Sequence, residues 1–428
     1  MLRILQGHVL DKLAELPDNS IHCVVTSPPY WGLRDYKCEP QVWAHVHDVK
    51  HARPDNCRHK WSAATETCFE CGAWRGQLGL EPTPALFIEH VTHIFRQVRR
   101  VLHPSGTLWL NMGDSYAGSP AGNFGPDMPK PADGGAYREN KPAMDFGKAG
   151  YKAKDLMGMP FLVSEALRQD GWYRRSIIIW HKPNPMPESV TDRPTTSHEY
   201  IFLMSKSGRY FYDAEAVKEP VAQASLDDGR TERGQRGQKG QYSATDGACG
   251  FNPSGRNKRS VWTVPTSPYP EAHFATYPPD LVKPCILAGT SAKGCCPQCL
   301  APWERIVEAG ESMWEERKRN GAPMRAGDVE GGRSLGSVEN KFSGKILADW
   351  KAEHPDKTTG WQPTCKCDAP MQRAPIPCTV LDPFAGSGTT GAVALELGRH
   401  AVLIELNPKY VELIKKRCNA VTPGMALA

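Results

Sequence analysis

Thr379-Val380-Leu381-Asp382-Pro383-Phe384-Ala385-Gly386-Ser387-Gly388-Thr389-Thr390-Gly391 decides the fold of this chain. A short apolar strand runs into a glycine loop, and a helix follows the loop. Ala401-Val402-Leu403-Ile404 is the next strand, Glu405 ends it, and another helix closes the chain. Strands alternating with helices imply parallel pairing. Glycines at the carboxyl end of such a strand let the backbone approach a ligand closely, and ligands of open α/β sheets bind at that edge. Glu405, about 20 residues past the loop, is placed to accept hydrogen bonds from both hydroxyls of a ribose. Gly386, Gly388 and Gly391 also satisfy the dinucleotide fingerprint, so a nicotinamide-dependent dehydrogenase and a plain strand–helix turn are competing readings.

Working outward, the other end of the chain repeats the alternation. Leu2 to Leu5 reads as a strand, Val9 to Leu16 as a helix, and Ile21 to Thr26 as a buried strand that runs into Ser27-Pro28-Pro29-Tyr30. Phe87, Val91, Ile94, Phe95, Val98 and Val101 recur at helical spacing, predicting a helix over 84–102. Pro104-Ser105-Gly106 predicts a turn before a strand at 107–111, and a helix near 160–169 precedes strands at 176–180 and 200–204. The expectation is a mostly parallel, doubly wound sheet. Residues 117–150, rich in Gly, Pro and Ala, read as a long loop.

Composition narrows the function classes. With 40% hydrophobic and 23% charged residues among 428, the chain is globular, neither disordered nor a coiled coil. A net charge of +5 permits a polyanionic partner without requiring one. No apolar run approaches the ~18–20 residues of a membrane span, and the start lacks a signal-peptide pattern, so a soluble cytoplasmic protein is expected. The 14 cysteines cluster as C-x-x-C and C-x-C, which in a reducing compartment favours metal sites over disulfides.

Ser27-Pro28-Pro29-Tyr30 should lie at the same carboxyl edge as the glycine loop. Its residue types suit chemistry on an exocyclic base amine, whose lone pair is delocalised into the ring. The Ser27 hydroxyl and the Pro28 carbonyl can accept its two N–H groups and so localise the lone pair. Pro28 and Pro29 hold that carbonyl in place, and Tyr30 can stack on an extruded base. The bland alternative is a Pro-Pro turn after a strand.

Thr26 to Tyr36 (TSPPYWGLRDY), the glycine loop with its Asp-Pro-Phe, His273 to Leu281 (HFATYPPDL) and Asn257 to Trp262 (NKRSVW) together resemble one family. They are similar to the amino-group DNA methyltransferases of the β arrangement, phage and prophage members in particular. The resemblance covers most of the chain outside two Cys-bearing stretches. It implies a Rossmann-like S-adenosylmethionine-dependent methyltransferase with circularly permuted motif order, acting on double-stranded DNA in a bacterial or phage-infected cytoplasm. It is compatible with a homodimer and with a cognate restriction endonuclease as partners, neither of which the sequence decides. On the residues, it implies cofactor contacts from Thr26, Asp382, Phe384, Gly386, Gly388, Thr389 and Glu405, with Ser27, Pro28, Pro29 and Tyr30 catalytic. Where members often carry Gly-Asp, this chain has Gly7-His8, with Asp11 as a substitute carboxylate. Ser at the first motif position implies cytosine N4 as the target, with adenine N6 the alternative, and argues against the related Asn-Pro-Pro-Tyr enzymes of RNA and protein glutamine. His8 keeps alive a zinc-stabilised DNA-binding protein with an inactive site.

Carbon-5 methylation would need a nucleophilic thiolate, commonly in a Pro-Cys pair. Cys285 and Cys378 occupy such pairs, but their apolar settings predict buried structural thiols. Cys57, His59, Cys68 and Cys71 have spacing suited to a structural Zn2+, as do Cys296, Cys299, Cys365 and Cys367; free or redox thiols are the alternative. His45, His47 and His51 are expected in solvent.

Five segments follow. Residues 1–36 and 81–215 form the catalytic half, 37–80 a zinc-binding insertion, and 216–272 the target-recognition region. Residues 273–294 and 368–428 form the cofactor half, and 295–367 a second zinc-binding insertion. In the recognition region Arg256, Lys258 and Arg259 are the expected DNA contacts, with Arg230, Arg233, Arg236 and Lys239 in a basic loop that also reads as solvated.

Overall fold

The computed structural model describes residues 1–33, 35–36, 38–43, 57–63, 66–117, 147, 150–219, 256–267, 277–308, 310–311, 319, 353–368 and 373–421. The loop expected at 117–150, the basic run at 225–250, His45, His47, His51 and residues 273–276 lie wholly or almost wholly outside them.

The strands are β1 (Leu2–Gln6), β2 (Ile21–Thr26), β3 (Gln41–Trp43), β4 (Trp74–Gly76), β5 (Leu102–Met112), β6 (Tyr173–His181), β7 (His198–Ser205), β8 (Val261–Thr263), β9 (Trp303–Glu308), β10 (Lys357–Pro363), β11 (Thr379–Asp382) and β12 (His400–Glu405). The helices are α1 (Val9–Ala14), α2 (Pro84–Val101), α3 (Met159–Gln169), α4 (Pro279–Gly289), α5 (Thr389–Glu396) and α6 (Pro408–Asn419). Among the described residues, eight strands form the central sheet in the order β1-β12-β11-β2-β5-β7-β6-β8. Pairing is parallel from β1 through β5, antiparallel on both sides of β7, and parallel again between β6 and β8. The sheet is therefore mostly parallel, as the alternation of elements predicts.

Local chemistry explains the elements. Thr83 caps α2, its hydroxyl accepting from Leu86 N at 3.3 Å, and Pro84 takes the first helical position, where its missing N–H costs nothing. Phe87, Val91, Ile94, Phe95, Val98 and Val101 are all buried in one core with Leu108, Leu110 and Phe202 of the sheet. Helix α2 packs on both α1 and α3, and α5 packs on both α4 and α6. Among the described residues, no helix is long and apolar enough to cross a membrane.

One local expectation changes. Pro104-Ser105-Gly106 does not end an element; it lies inside β5 as an irregularity. Ile21 faces Leu102 while Cys23 already faces Thr107, so the intervening residues of β5 are accommodated as a bulge. A Cβ at Gly106 would lie 2.8 Å from His22 O, which explains the glycine.

The chain divides into two compact units. One comprises Met1–Tyr212, Ser260–Pro302 and Cys365–Ala428; the other comprises Asp213–Arg259 and Trp303–Thr364. The Cys-bearing ends of the 295–367 stretch thus fall in the first unit and its middle in the second, where β9 and β10 form an antiparallel pair. In the first unit, β3 and β4 pair antiparallel. Trp43 and Trp74 join the main core there, both stacking on His90 of α2 at 5.0 and 5.6 Å. His90 pairs with Glu81 at 3.0 Å, both buried, so this part of the 37–80 stretch is built into the sheet-bearing unit.

Candidate active site

The central strands β11 and β2 are neighbours, with Val380 opposite Cys23 and Leu381 opposite Val24. From β11 the chain winds toward β12; from β2 it winds toward β5 on the other side. Such a reversal opens a crevice at the carboxyl ends of the two strands. Here those ends are Asp382 and Thr26, so the structure brings both sequence motifs to one rim.

Asp382 is wholly enclosed. Thr26 Oγ1 donates to Oδ1 at 2.7 Å and Phe384 N at 3.0 Å, while Tyr277 Oη and Thr390 Oγ1 donate to Oδ2 at 2.7 and 2.8 Å. Burial pushes its pKa up, and these donors oppose that rise. Four donors satisfy the carboxylate, which ties β2, the segment entering α4, the glycine loop and α5 together.

The loop itself has two kinds of glycine. Gly386 adopts φ +49°, and a Cβ built there meets nothing within 4 Å. Gly388, at φ +81°, and Gly391 are packing glycines: added Cβ atoms would lie 3.1 Å from Ile414 and 2.4 Å from Leu403. The loop before α5 is therefore open at Gly386 and pressed against protein at Gly388. Arg417 of α6 braces the loop, donating to Ser387 Oγ at 3.0 Å and Thr389 Oγ1 at 2.8 Å. Phe384, half-buried, packs against the main core.

Glu405 ends β12 beside this loop. Its oxygens accept from Gly386 N and Asn407 N, each at 2.8 Å, and burial raises its pKa to about 7. Gly7 N donates to Glu405 O at 3.0 Å. At the neighbouring Gly7-His8 departure, His8 stands edge-on to Trp43 at 4.6 Å, while Asp11 is exposed in the first turn of α1. Burial lowers the His8 pKa.

On the other flank, Ser27 Oγ donates to Tyr30 Oη at 3.1 Å, and Tyr30 Oη donates to Glu199 Oε2 at 3.0 Å. Asn111 Nδ2 donates to both Tyr30 Oη (3.1 Å) and Glu199 Oε2 (2.8 Å), and Lys182 Nζ pairs with Glu199 Oε1. Burial, then the Glu199 charge, pushes the Tyr30 phenol well above its ordinary range. Reading the sequence found Ser27 to Tyr30 but missed Asn111, Lys182, Glu199, Tyr277, Thr390 and Arg417. The two Pro-Cys thiols are buried, Cys285 inside α4 and Cys378 before β11, as expected.

Both cysteine tetrads assemble. In each, the four ligand atoms lie within 4.8 Å of one another. The C-x-x-C turns share one backbone plan. Glu70 N approaches Cys68 Sγ and Gln298 N approaches Cys296 Sγ, each at 3.4 Å. Gly72 N bonds Cys68 O and Leu300 N bonds Cys296 O, each at 2.9 Å, with Gly72 and Leu300 both left-handed at φ +70° and +62°. A non-glycine residue held there is costly, so the turn is maintained by its surroundings. Cys295 points elsewhere, toward Ile376 O at 3.5 Å. It lies near Cys378 and His22, whose Nδ1 accepts from Thr379 N and whose Nε2 lies 2.8 Å from Leu300 O. No ring nitrogen remains there for a metal.

In the second unit Arg256 and Arg259 share Glu219, at 3.3 and 2.8 Å. All three expected DNA contacts are therefore present in the described residues, two of them in an ion-pair cluster with one glutamate.

The chain matches a family model described as DNA methylase (N6_N4_Mtase) over residues 21–296 and 378–416, most of its length. It is 33% identical over 414 residues to the Type II methyltransferase M.XycI of Xanthomonas campestris pv. cyanopsidis, covering 97% of this chain and 86% of that one. The same identity and coverage hold for the Type II methyltransferase M.Cfr9I of Citrobacter freundii. Among solved structures, the PvuII DNA methyltransferase (cytosine-N4-specific) aligns at 14% identity and TM-score 0.46, over 99% of this chain and 88% of that one.

Proposed function

This chain belongs to the N6/N4 DNA methylase family, and from that premise we propose that it methylates N4 of a cytosine extruded from double-stranded DNA. S-adenosylmethionine, when bound, supplies an electrophilic methyl group on a sulfonium. The residues present fit it. Gly386 offers open backbone at the amino end of α5, Glu405 is a buried carboxylate suited to ribose hydroxyls, and Phe384 is half-buried beside them. Thr26, Asp382, Gly388 and Thr389 then shape and hold the loop. Ser27 Oγ and the Pro28 carbonyl accept the amine N–H groups, and Tyr30 stacks on the base.

The observation that carries this reading is the Thr26–Asp382 hydrogen bond, which sets Ser27 to Tyr30 beside the glycine loop. A neutral serine as first acceptor favours cytosine N4 over adenine N6. The Type II names of the relatives support a modification role beside a cognate restriction endonuclease. Each cysteine tetrad holds one structural Zn2+: four soft ligands leave no open position for chemistry, and the matching turns present N–H groups to sulfur. Arg256, Lys258 and Arg259 contact the DNA backbone.

The test is to mix purified protein with unmethylated DNA and S-adenosylmethionine carrying a labelled methyl group. Label should pass to DNA, and S-adenosylmethionine should raise the melting temperature where NAD does not. DNA left unlabelled by the wild-type protein removes the proposal.

A further inference from the structure

Glu199 lies on β7, beside β5, and no motif marks it. Its carboxylate nevertheless closes the hydrogen-bond chain that begins at Ser27. Glycine makes the approach feasible: a Cβ at Gly113 would lie 3.0 Å from Tyr30 Cε2 and 3.3 Å from Glu199 Cδ.

The donors and acceptors set a direction for the protons. An ionised carboxylate only accepts, so Tyr30 Oη donates to Glu199 Oε2 across 3.0 Å. The Asn111 Nδ2 group only donates, and it reaches both Glu199 and the Tyr30 oxygen. Tyr30 Oη also accepts the Ser27 Oγ–H at 3.1 Å, sharing its lone pairs with Asn111 and the Gly113 backbone N–H. The Ser27 proton is spent inward, so its two lone pairs remain for an incoming N–H. Lys182, paired with the far oxygen of Glu199, balances the charge at the end of the chain.

We propose that Glu199 is a positioning residue that acts through the Tyr30 hydroxyl to hold Ser27 as an acceptor for the target amine, and that it receives the proton this amine loses. The inference rests on the methyltransferase reading above. As the N–C bond forms and the S–C bond breaks, sulfur keeps the electron pair. The amine nitrogen sheds one proton to Ser27 Oγ, Ser27 passes its own to Tyr30, and Tyr30 passes its own to Glu199 Oε2. Glu199 ends neutral, and neither hydroxyl ends charged. A neutral serine thereby draws on a carboxylate two hydrogen bonds away.

Glu199→Gln and Glu199→Asp test this. In Glu199→Gln, S-adenosylmethionine affinity should match wild type, while the melting temperature falls modestly as Lys182 loses its ion pair. Single-turnover methyl transfer at neutral pH should fall by about a hundredfold, the lower end for loss of a proton acceptor. The residual rate should rise with pH as solvent takes over the proton, and Glu199→Asp should recover part of the rate. A second readout needs no turnover: the Tyr30 phenol, followed by ultraviolet absorbance as the difference from Tyr30→Phe, should ionise at lower pH in Glu199→Gln. A Glu199→Gln protein with the wild-type rate and pH profile, or with an unmoved Tyr30 titration, overturns the inference. A wild-type protein that methylates nothing removes the function itself, an outcome distinct from an active wild type indifferent to Glu199.

Discussion

Thr26 Oγ1 donates a 2.7 Å hydrogen bond to Asp382 Oδ1 across 356 positions of sequence. The two side chains end adjacent parallel strands, β2 and β11, where the winding of the sheet reverses. That contact joins the two motifs of the proposed site: one strand delivers Ser27 to Tyr30, the other delivers the glycine loop. The carboxylate is enclosed and fully partnered, so removing a donor leaves a buried charge short of a hydrogen bond.

Thr26→Val keeps the shape and deletes that donor. It should lower stability in urea denaturation by about 1.5–3 kcal/mol, the range for a hydrogen bond to a charged group, and weaken S-adenosylmethionine binding as the loop loosens. Unchanged stability would show that Asp382 is held adequately by Tyr277, Thr390 and the Phe384 amide alone.

Glu405 gives a pH signature. Burial raises its pKa to about 7, above its ordinary value, so it is ionised above that pH and protonated below it. An ionised carboxylate accepts from both ribose hydroxyls; the protonated form loses acceptor capacity. S-adenosylmethionine affinity measured by calorimetry should therefore weaken as pH falls through about 7, and Glu405→Gln should flatten the dependence while weakening binding throughout. A pH-independent wild-type affinity would contradict the assignment of Glu405 to the ribose.

The glycines of the loop should separate by phenotype. Gly391→Ala places a methyl 2.4 Å from Leu403 Cδ1 and should destabilise the fold by about 1–3 kcal/mol through overpacking. Gly386→Val meets no protein atom at Cβ, so beyond the strain of its positive φ its main effect should be on cofactor affinity. The reverse pattern would place the pocket on the wrong side of the loop.

Much of this was legible in sequence because it is local. The apolar run Ile21–Thr26 matches β2 residue for residue, and the helical spacing from Phe87 to Val101 marks the buried face of α2. The cysteine tetrads could be read because C-x-x-C spacing is itself the geometry of a turn. The Pro104 to Gly106 stretch could not: a turn and a bulge share those residues, and the register against β2 chooses between them. Asn111 and Glu199 left no signal either, since their partner Tyr30 reaches them only once β5 and β7 pair, and Lys182 meets Glu199 only once β6 and β7 pair. The roles of Tyr277, Thr390 and Arg417 likewise depend on neighbours far away in the chain.

The tetrads predict independent metal losses. Cys68→Ser should remove one equivalent of zinc by elemental analysis and leave the other, and Cys296→Ser should do the converse, each lowering the melting temperature. Metal content unaffected by either change would reject zinc at that cluster.

The central claim, methyl transfer to a cytosine amine, is tested most directly by mass spectrometry of nucleosides from DNA treated with the protein and S-adenosylmethionine. The account predicts N4-methylcytosine, lost in Tyr30→Ala although that variant still binds cofactor. N6-methyladenine in its place would contradict the base assignment, and DNA with no methylated amine would contradict the account as a whole.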